Sequence, residues 1–177
     1  MRTSTISPIT KSGIGFFLIV SVVLLAGSIA QAEIVTVNDI VLDGFQTVPP
    51  TGSLASGIAS MTIDTETRDF TISGSFENLE GDVIFGHLHG PADIGQPSNF
   101  IILPLQIEGD FMRSGTFTAT QRVSPFQLNI ILDSRSYVNI HSVAYTSGEI
   151  RGQVVVPTPG GLGLLAAGGL LAMRRQR

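Results

Sequence analysis

The three histidines of this 177-residue chain lie in two short polar segments. His87 and His89 are two residues apart, so on a β-strand their imidazoles would lie side by side on one face. His141 lies in the second segment, where Tyr137 and Asn139 would share its face. If the two strands are neighbours, three imidazoles converge. Three nitrogen ligands suit zinc or copper, so we take the histidines as candidate metal ligands.

A structural role for the same histidines stays open at this level. An imidazole can donate one ring proton to a carbonyl and accept at its other nitrogen, which ties a loop to a strand. Gly90 and Pro91 follow His89 directly and indicate such a strand-to-loop corner. If a metal is bound instead, Glu149 or Asp93 would complete its ligand shell.

A further polar face is predicted near the end of the chain, where residues alternate strictly. Glu149, Arg151 and Gln153 would share this face, with Gly152 on the side of the core. We expect Arg151 to pair across strands with an acid in the 64–69 region. Recognition of a ligand by the guanidinium is the alternative.

Strand patterns cover most of the chain between these segments. Short runs of alternating apolar and polar residues are separated by Gly, Pro, Ser and Asp turns, and a bulge is expected at Gly57. The pattern predicts an all-β fold: a single antiparallel β-sandwich of Ig-like or Greek-key type with seven or eight strands. The expected strands are 34–42, 55–64, 70–76, 83–89, 100–106, 115–120, 137–143 and 149–156, with a hairpin turn at 64–69.

One segment is predicted to be helical. Ser124 followed by Pro125 is typical of a helix start, and Leu128, Ile131 and Leu132 fall on one helical face. The alternative is another strand, with apolar residues of the same segment at every second position facing inward.

Composition excludes several functional classes. Between residues 33 and 156, fourteen acidic side chains stand against five arginines and no lysine, a formal charge of −9. Such a surface repels phosphate backbones, so we expect no nucleic-acid partner. The absence of cysteine excludes disulfides, thiolate ligands and cysteine nucleophiles. No G-x-S-x-G elbow, phosphate-binding loop or H-E-x-x-H helix is present, and we expect no enzymatic activity.

The beginning of the chain follows the order of a secretory signal peptide. Arg2 and Lys11 flank a region without acids, residues 14–26 are almost wholly apolar, and Ala30-Gln31-Ala32 places small residues where signal peptidase cleaves. The stretch is apolar on every side, which disfavours an amphipathic surface helix. We predict cleavage by signal peptidase before Glu33 and a hydrophobic targeting helix upstream of it.

The end of the chain has the layout of a second targeting element. Pro157 and Pro159 break the preceding strand, and Arg174 and Arg175 open a basic terminus. The apolar stretch between them, 160–173, is shorter than the roughly 17 residues that cross a bilayer comfortably. It predicts a hydrophobic helix that is inserted transiently and removed later, with the arginines on the cytoplasmic side.

Three segments together resemble the CHRD domain, a module named after chordin. They are Gly-His-Leu-His-Gly-Pro-Ala at 86–92, Tyr-Val-Asn-Ile-His-Ser at 137–142 and Gly-Glu-Ile-Arg-Gly-Gln at 148–153. Ser142 stands where that family commonly has threonine. The resemblance implies a β-sandwich-like extracellular module. The tail resembles a PEP-CTERM sorting signal, with Thr158 in place of the usual glutamate, and this implies processing by an exosortase-like enzyme.

These observations divide the chain into a signal peptide (1–32), a CHRD-like domain (33–156) and a sorting tail (157–177). We expect an exported protein at the cell envelope, on the surface or in extracellular matrix. There it would bind an extracellular protein or polysaccharide, or act structurally, without catalysis and without a required cofactor. The alternative is a zinc- or copper-binding protein, or a metal-dependent enzyme, that uses the three histidines.

Overall fold

The structure, a computed structural model, describes residues 33–109 and 113–157. The predicted signal peptide, its targeting helix and most of the sorting tail, including Pro159, Arg174 and Arg175, lie outside the described residues. Pro157 is exposed at their end. Within the described ranges, no helix is long and apolar enough to cross a membrane.

Eight strands and one helix make up the described part of the chain. The strands are β1 (Ile34–Asp43), β2 (Ser56–Asp64), β3 (Asp69–Glu77), β4 (Val83–His89), β5 (Ile101–Glu108), β6 (Gly115–Arg122), β7 (Ser136–Ser142) and β8 (Ile150–Val154), and helix α1 (Pro125–Leu132) precedes β7. The prediction of an all-β chain with one short helix is confirmed.

The sheet closes on itself, and the predicted β-sandwich is wrong. The strands follow the order β1-β2-β3-β6-β5-β4-β7-β8, and β8 pairs with β1 where Arg151 lies opposite Asp43. All neighbouring strands are antiparallel. Alternation and turn spacing are the same in sandwiches and barrels. Only the pairing of the first strand with the last, far apart in sequence, distinguishes the two.

Apolar side chains fill the inside of the barrel. In β3, Phe70, Ile72 and Phe76 are buried, whereas Thr71 and Ser73 between them are exposed. This alternation places every second residue in the core, which is the arrangement of a small closed barrel. The outward-facing positions of the strands are therefore available for a functional site.

Bulges or irregularities of register occur in three strand pairs, but none lies at Gly57. The register between β1 and β2 shifts between Val37 and Ile40, where Asp39 has a φ of 55°. Gly57 instead pairs regularly with Leu42 on one side. A Cβ there would lie 2.8 Å from the Ser75 carbonyl, so close approach of the backbones explains this glycine.

Helix α1 begins with a capping box. The Ser124 hydroxyl accepts from the Gln127 backbone N–H, and the Gln127 side chain accepts from the Ser124 N–H. Pro125 occupies the first turn, as predicted. Ile130 and Ile131 are buried against the barrel. The helix is confirmed, and the strand alternative is wrong, because these caps satisfy N–H groups that only a helix leaves unpaired.

Gly74 provides a test of the barrel packing. The ring of Phe117 occupies the place where a Cβ on Gly74 would lie, and the Ile58 carbonyl also crowds it. We expect Gly74→Ala to lower the free energy of unfolding by about 1–3 kcal/mol through overpacking. Urea unfolding followed by circular dichroism measures this change. Ser73→Ala, at the next and exposed position, is the control; equal effects of the two substitutions would contradict the packing argument.

Candidate metal centre

The three histidines lie on the outer face of the barrel, where β7 runs between β4 and β8. The register places His87 opposite Asn139 and His89 opposite Tyr137. His141 lies two residues beyond Asn139 on the same face of β7. Antiparallel pairing therefore brings together side chains that are more than 50 residues apart in sequence.

The ring nitrogens are close enough to share one ion. One nitrogen from each histidine can be chosen so that all three lie within 4.8 Å of one another. His87 Nδ1 and His141 Nε2 are 3.4 Å apart. Two nitrogens bound tetrahedrally to zinc at about 2.0–2.1 Å would stand roughly 3.3 Å apart. This pair already has the spacing of ligands, and the third nitrogen, from His89, lies within 4.8 Å of the other two.

Backbone contacts orient His141. Its Nδ1 lies 3.0 Å from the Thr146 carbonyl, which can only accept, so Nδ1 carries the proton and Nε2 presents its lone pair to the cluster. The Asn139 amide donates to this lone pair at 3.3 Å, a bond that a metal at Nε2 would replace, and to the Ser147 carbonyl at 3.1 Å. A ligating histidine is usually held in this way, by a carbonyl on its far nitrogen.

Gly148 makes room for that Asn139 side chain. A Cβ at Gly148 would overlap the Asn139 amide, and its φ of 122° also favours glycine. The turn from Thr146 to Gly148 was not recognised as part of the site from the sequence. Gly148 was the only residue of this turn whose type could indicate the contact. Asn139 and His141 bind the backbone carbonyls of the turn, and every residue has a carbonyl.

His89 is the unusual member of the cluster. The residue is only 7% exposed, and neither ring nitrogen forms a hydrogen bond of good geometry among the described residues, although the Phe100 carbonyl is near enough to oppose the lowering of its pKa. Its ring stacks on Tyr137, with centroids 5.3 Å apart. A buried polar atom without a partner costs about 1–3 kcal/mol. The structural role that requires two hydrogen bonds is therefore not fulfilled by His89.

The environment keeps the imidazoles neutral. Burial, followed by the charges that His141 and His87 carry when protonated, lowers the pKa of His89 to about 4. Burial also lowers the pKa of His87 and of His141, although the Thr146 carbonyl partly opposes the change at His141. Neutral imidazole is the form that binds metals, so protons compete weakly for the nitrogens at pH 7.

The acids considered as a fourth ligand lie elsewhere. Glu149 is fully buried and accepts hydrogen bonds from the hydroxyls of Ser53 and Ser142 and from the Glu80 N–H. Asp93 forms an ion pair with Arg135 at 3.0 Å. The expectation that either completes the shell is wrong, because the cluster of potential ligands among the described residues contains neither acid.

The predicted partner of Arg151 is also wrong. Its guanidinium lies 3.7 Å from the centre of the Tyr137 ring and donates to the Gln96 carbonyl and to Gln153 Oε1. The region 64–69 forms the predicted hairpin turn, in which Asp64 accepts from the Glu66 N–H. That turn joins β2 to β3, whereas Arg151 lies on β8.

Tight glycine positions frame this face. Gly90 N–H donates to the Phe100 carbonyl, and a Cβ at Gly90 would lie 2.6 Å from the Arg135 carbonyl. The following Pro91 bends the chain away from β4 into the loop that covers Tyr137, through a cis peptide bond. At Gly152, a Cβ would lie 2.7 Å from the Val41 carbonyl. These glycines let neighbouring backbones approach closely.

The segments that build this face belong to a known family. The model of the CHRD domain matches residues 39–154, well over half of the chain. The chain belongs to the CHRD family. Comparison with curated proteins and with solved structures returned no match. The CHRD resemblance noted in the sequence is therefore confirmed, and all three of its segments meet on the β4-β7-β8 face of this CHRD barrel.

The lowered pKa of His89 predicts how stability depends on pH. Between about pH 6.5 and pH 4 the unfolded chain binds a proton at this imidazole and the folded chain does not, so acid favours unfolding. His87, His141, Tyr137 and Arg151 face the ring, and the two histidines add to the effect. We expect His89 alone to account for roughly 3 kcal/mol of stability lost over this interval.

Urea unfolding of the chelator-treated protein at pH 7.5 and pH 4.0 measures the loss. His89→Phe keeps the stacking on Tyr137 and removes the titrating group, so its stability should fall less between the two pH values. Carboxylates titrate in both proteins. The difference between the two losses in free energy of unfolding therefore reports on His89 alone. Parallel losses in the variant and the unmodified chain would contradict the assignment.

Proposed function

We propose that this CHRD protein is an exported, non-catalytic binding module, and that its binding site is a zinc or copper centre formed by His87, His89 and His141. The unpartnered, buried imidazole of His89 is the observation that carries the proposal. A metal ion would use a lone pair that nothing else uses. It would also offset the cost of burying three imidazoles together.

The arrangement suits a site with an open position. Three histidines leave one tetrahedral position for water or for a group from a partner. His87 is only partly buried, so the ion can be reached from solvent. The exposed Phe85 ring stacks on His87 at 5.8 Å and adds an apolar surface beside it. An extracellular protein or polysaccharide could therefore bind at the metal and at the surrounding loops.

Sheet edges are not available as docking sites in this barrel. The chemistry of the cluster also favours binding over catalysis. A closed sheet has no free edge strand, so binding falls to loops and to the outer face. The cluster of potential ligands in the described residues consists of three histidines without a carboxylate, so the paired carboxylates of sugar hydrolysis are not available there. The Tyr137 hydroxyl is engaged with Ser98 as both donor and acceptor.

Export rests on the two ends of the sequence. The signal-peptide pattern and the sorting tail support passage through signal peptidase, transient membrane insertion and processing by an exosortase-like enzyme. The formal charge of −9 between them disfavours nucleic acid as a partner. Delivery to the envelope, the cell surface or extracellular matrix follows from these features.

Metal titration tests the centre. Residues 33–157 contain every strand of the closed sheet and its core, so this segment is expected to fold alone, which circular dichroism checks. After chelator treatment, it should take up one equivalent of zinc or copper at micromolar concentration, by calorimetry and elemental analysis. His87→Ala, at the most accessible ligand, should weaken uptake by at least about tenfold.

Asp93→Asn is the matched control, because Asp93 is an exposed acid away from the histidines. It should bind metal as the unmodified segment does. No uptake at micromolar metal, or equal uptake by the His87 variant, would overturn the centre. Superoxide dismutation or ester hydrolysis by the loaded protein that His89→Ala abolishes would overturn the non-catalytic assignment instead.

Fractionation tests export. In the native host, the protein should be found outside the cytoplasm, with Glu33 as its first residue by mass spectrometry. Replacing Ala30 and Ala32 by Arg should block signal cleavage and retain the longer polypeptide in the membrane. Full-length protein in the soluble cytoplasmic fraction would contradict the proposal, whatever the metal titration shows.

A further inference from the structure

A second feature of the same face is a buried cation without an anion. The Arg151 side chain belongs to a residue that is only 3% exposed, on the far side of Tyr137 from His89. Its protein acceptors are neutral: the Gln96 carbonyl at 2.8 Å and Gln153 Oε1 at 2.7 Å. A guanidinium has five N–H donors, and these two acceptors use two of them, so the other three can meet solvent or a ligand.

Acids that lie close to Arg151 in the sequence or the sheet have other partners; Glu149, two residues before it, accepts from Ser53, Glu80 and Ser142. Asp43 pairs with Arg151 across β1 and β8, but its carboxylate accepts from the N–H groups of Phe45 and Gln46. Asp93 is bonded to Arg135. Within the described ranges, no carboxylate lies within 4 Å of the Arg151 guanidinium. Buried charges are ordinarily paired, so a position for an anion is left open here.

A cavity lies beside Arg151. It has a volume of about 390 Å³, within the range of pockets for small ligands, and Arg151 and Gln153 line it together with the neutral Gln46 and Thr47. The apolar lining includes Phe45 and Ile94, which are 74% and 76% exposed. These two side chains give the mouth of the cavity an apolar surface on which the body of a ligand can pack.

We propose that this cavity binds a small carboxylic acid with an apolar body: the carboxylate pairs with Arg151, and the body packs against Phe45 and Ile94. Arginine suits this task because its planar fork matches the two oxygens of a carboxylate. Tyr137 holds the guanidinium from one side, and Gln153 fixes its plane. The site uses none of the three histidines.

Benzoate serves as the probe and benzamide as its neutral counterpart. In chelator-treated 33–157, benzoate should cause saturable shifts of the backbone NMR signals of the cavity residues. Benzamide keeps the ring and loses the charge, so it should bind at least about tenfold more weakly. Equal binding of the two compounds, or no saturable shift with benzoate at millimolar concentration, would overturn the proposal.

Variants locate the site. Arg151→Gln should abolish the preference for benzoate, whereas Arg135→Gln, which removes an exposed guanidinium, should retain it. Because Arg151→Gln can fail to fold, Ile94→Ser at the exposed mouth supplies a second test and should weaken benzoate severalfold. Leu54→Ser, an equally exposed change outside the cavity lining, is its control. Undiminished benzoate binding by Ile94→Ser would place the ligand elsewhere.

The two sites of this face are distinguishable. His87→Ala should weaken metal uptake and keep benzoate binding, and Ile94→Ser should weaken benzoate binding and keep metal uptake. Loss of benzoate binding in the His87 variant would show that the acid binds at the histidines and would overturn the Arg151 site, with the metal centre still standing.

Discussion

The position of β7 between β4 and β8 is the constraint on which both candidate sites depend. Its register places Asn139 between His87 on one side and Arg151 on the other. A shift of one residue would turn every outer side chain of β7 into the core. The buried residues Val138 and Ile140 prevent such a shift, because their burial in the barrel would be lost. Packing of apolar side chains inside the barrel therefore determines which polar side chains lie together on its outer face.

The outer face contains polar groups that the fold leaves unsatisfied. Glu149 shows how the protein treats a buried charge that serves structure: three donors surround it and join the loops around Ser53, Glu80 and Ser142. His89 has no hydrogen-bond partner among the described residues, and Arg151 has no anion. Both lie against Tyr137, which gives them stacking but no charge. We therefore regard Glu149 as a structural group, and His89 and Arg151 as groups available to ligands.

Local patterns predicted most elements but not the closure of the sheet. Alternation located strands such as β4 within a residue, and the pair Ser124-Pro125 located the helix, because both depend on neighbours in sequence. The sandwich prediction failed because pairing of β1 with β8 is a contact between distant segments. The same limit applies to the site. Alternation placed His87 beside His89, whereas the surroundings of Arg151 depend on a loop whose path, through Gln96, no periodicity encodes.

Closure of the sheet decides where binding can occur. Open sheets offer edge strands to partners, but here both edges are joined, so backbone pairing is not available to a ligand. Recognition must use side chains on the outer face and the loops that cover it. On that face, Tyr137 separates an uncharged imidazole site from a cationic one, with its hydroxyl held by Ser98. A metal at the histidines and a carboxylate at Arg151 would thus be bound through different atoms, on opposite sides of one fixed aromatic ring.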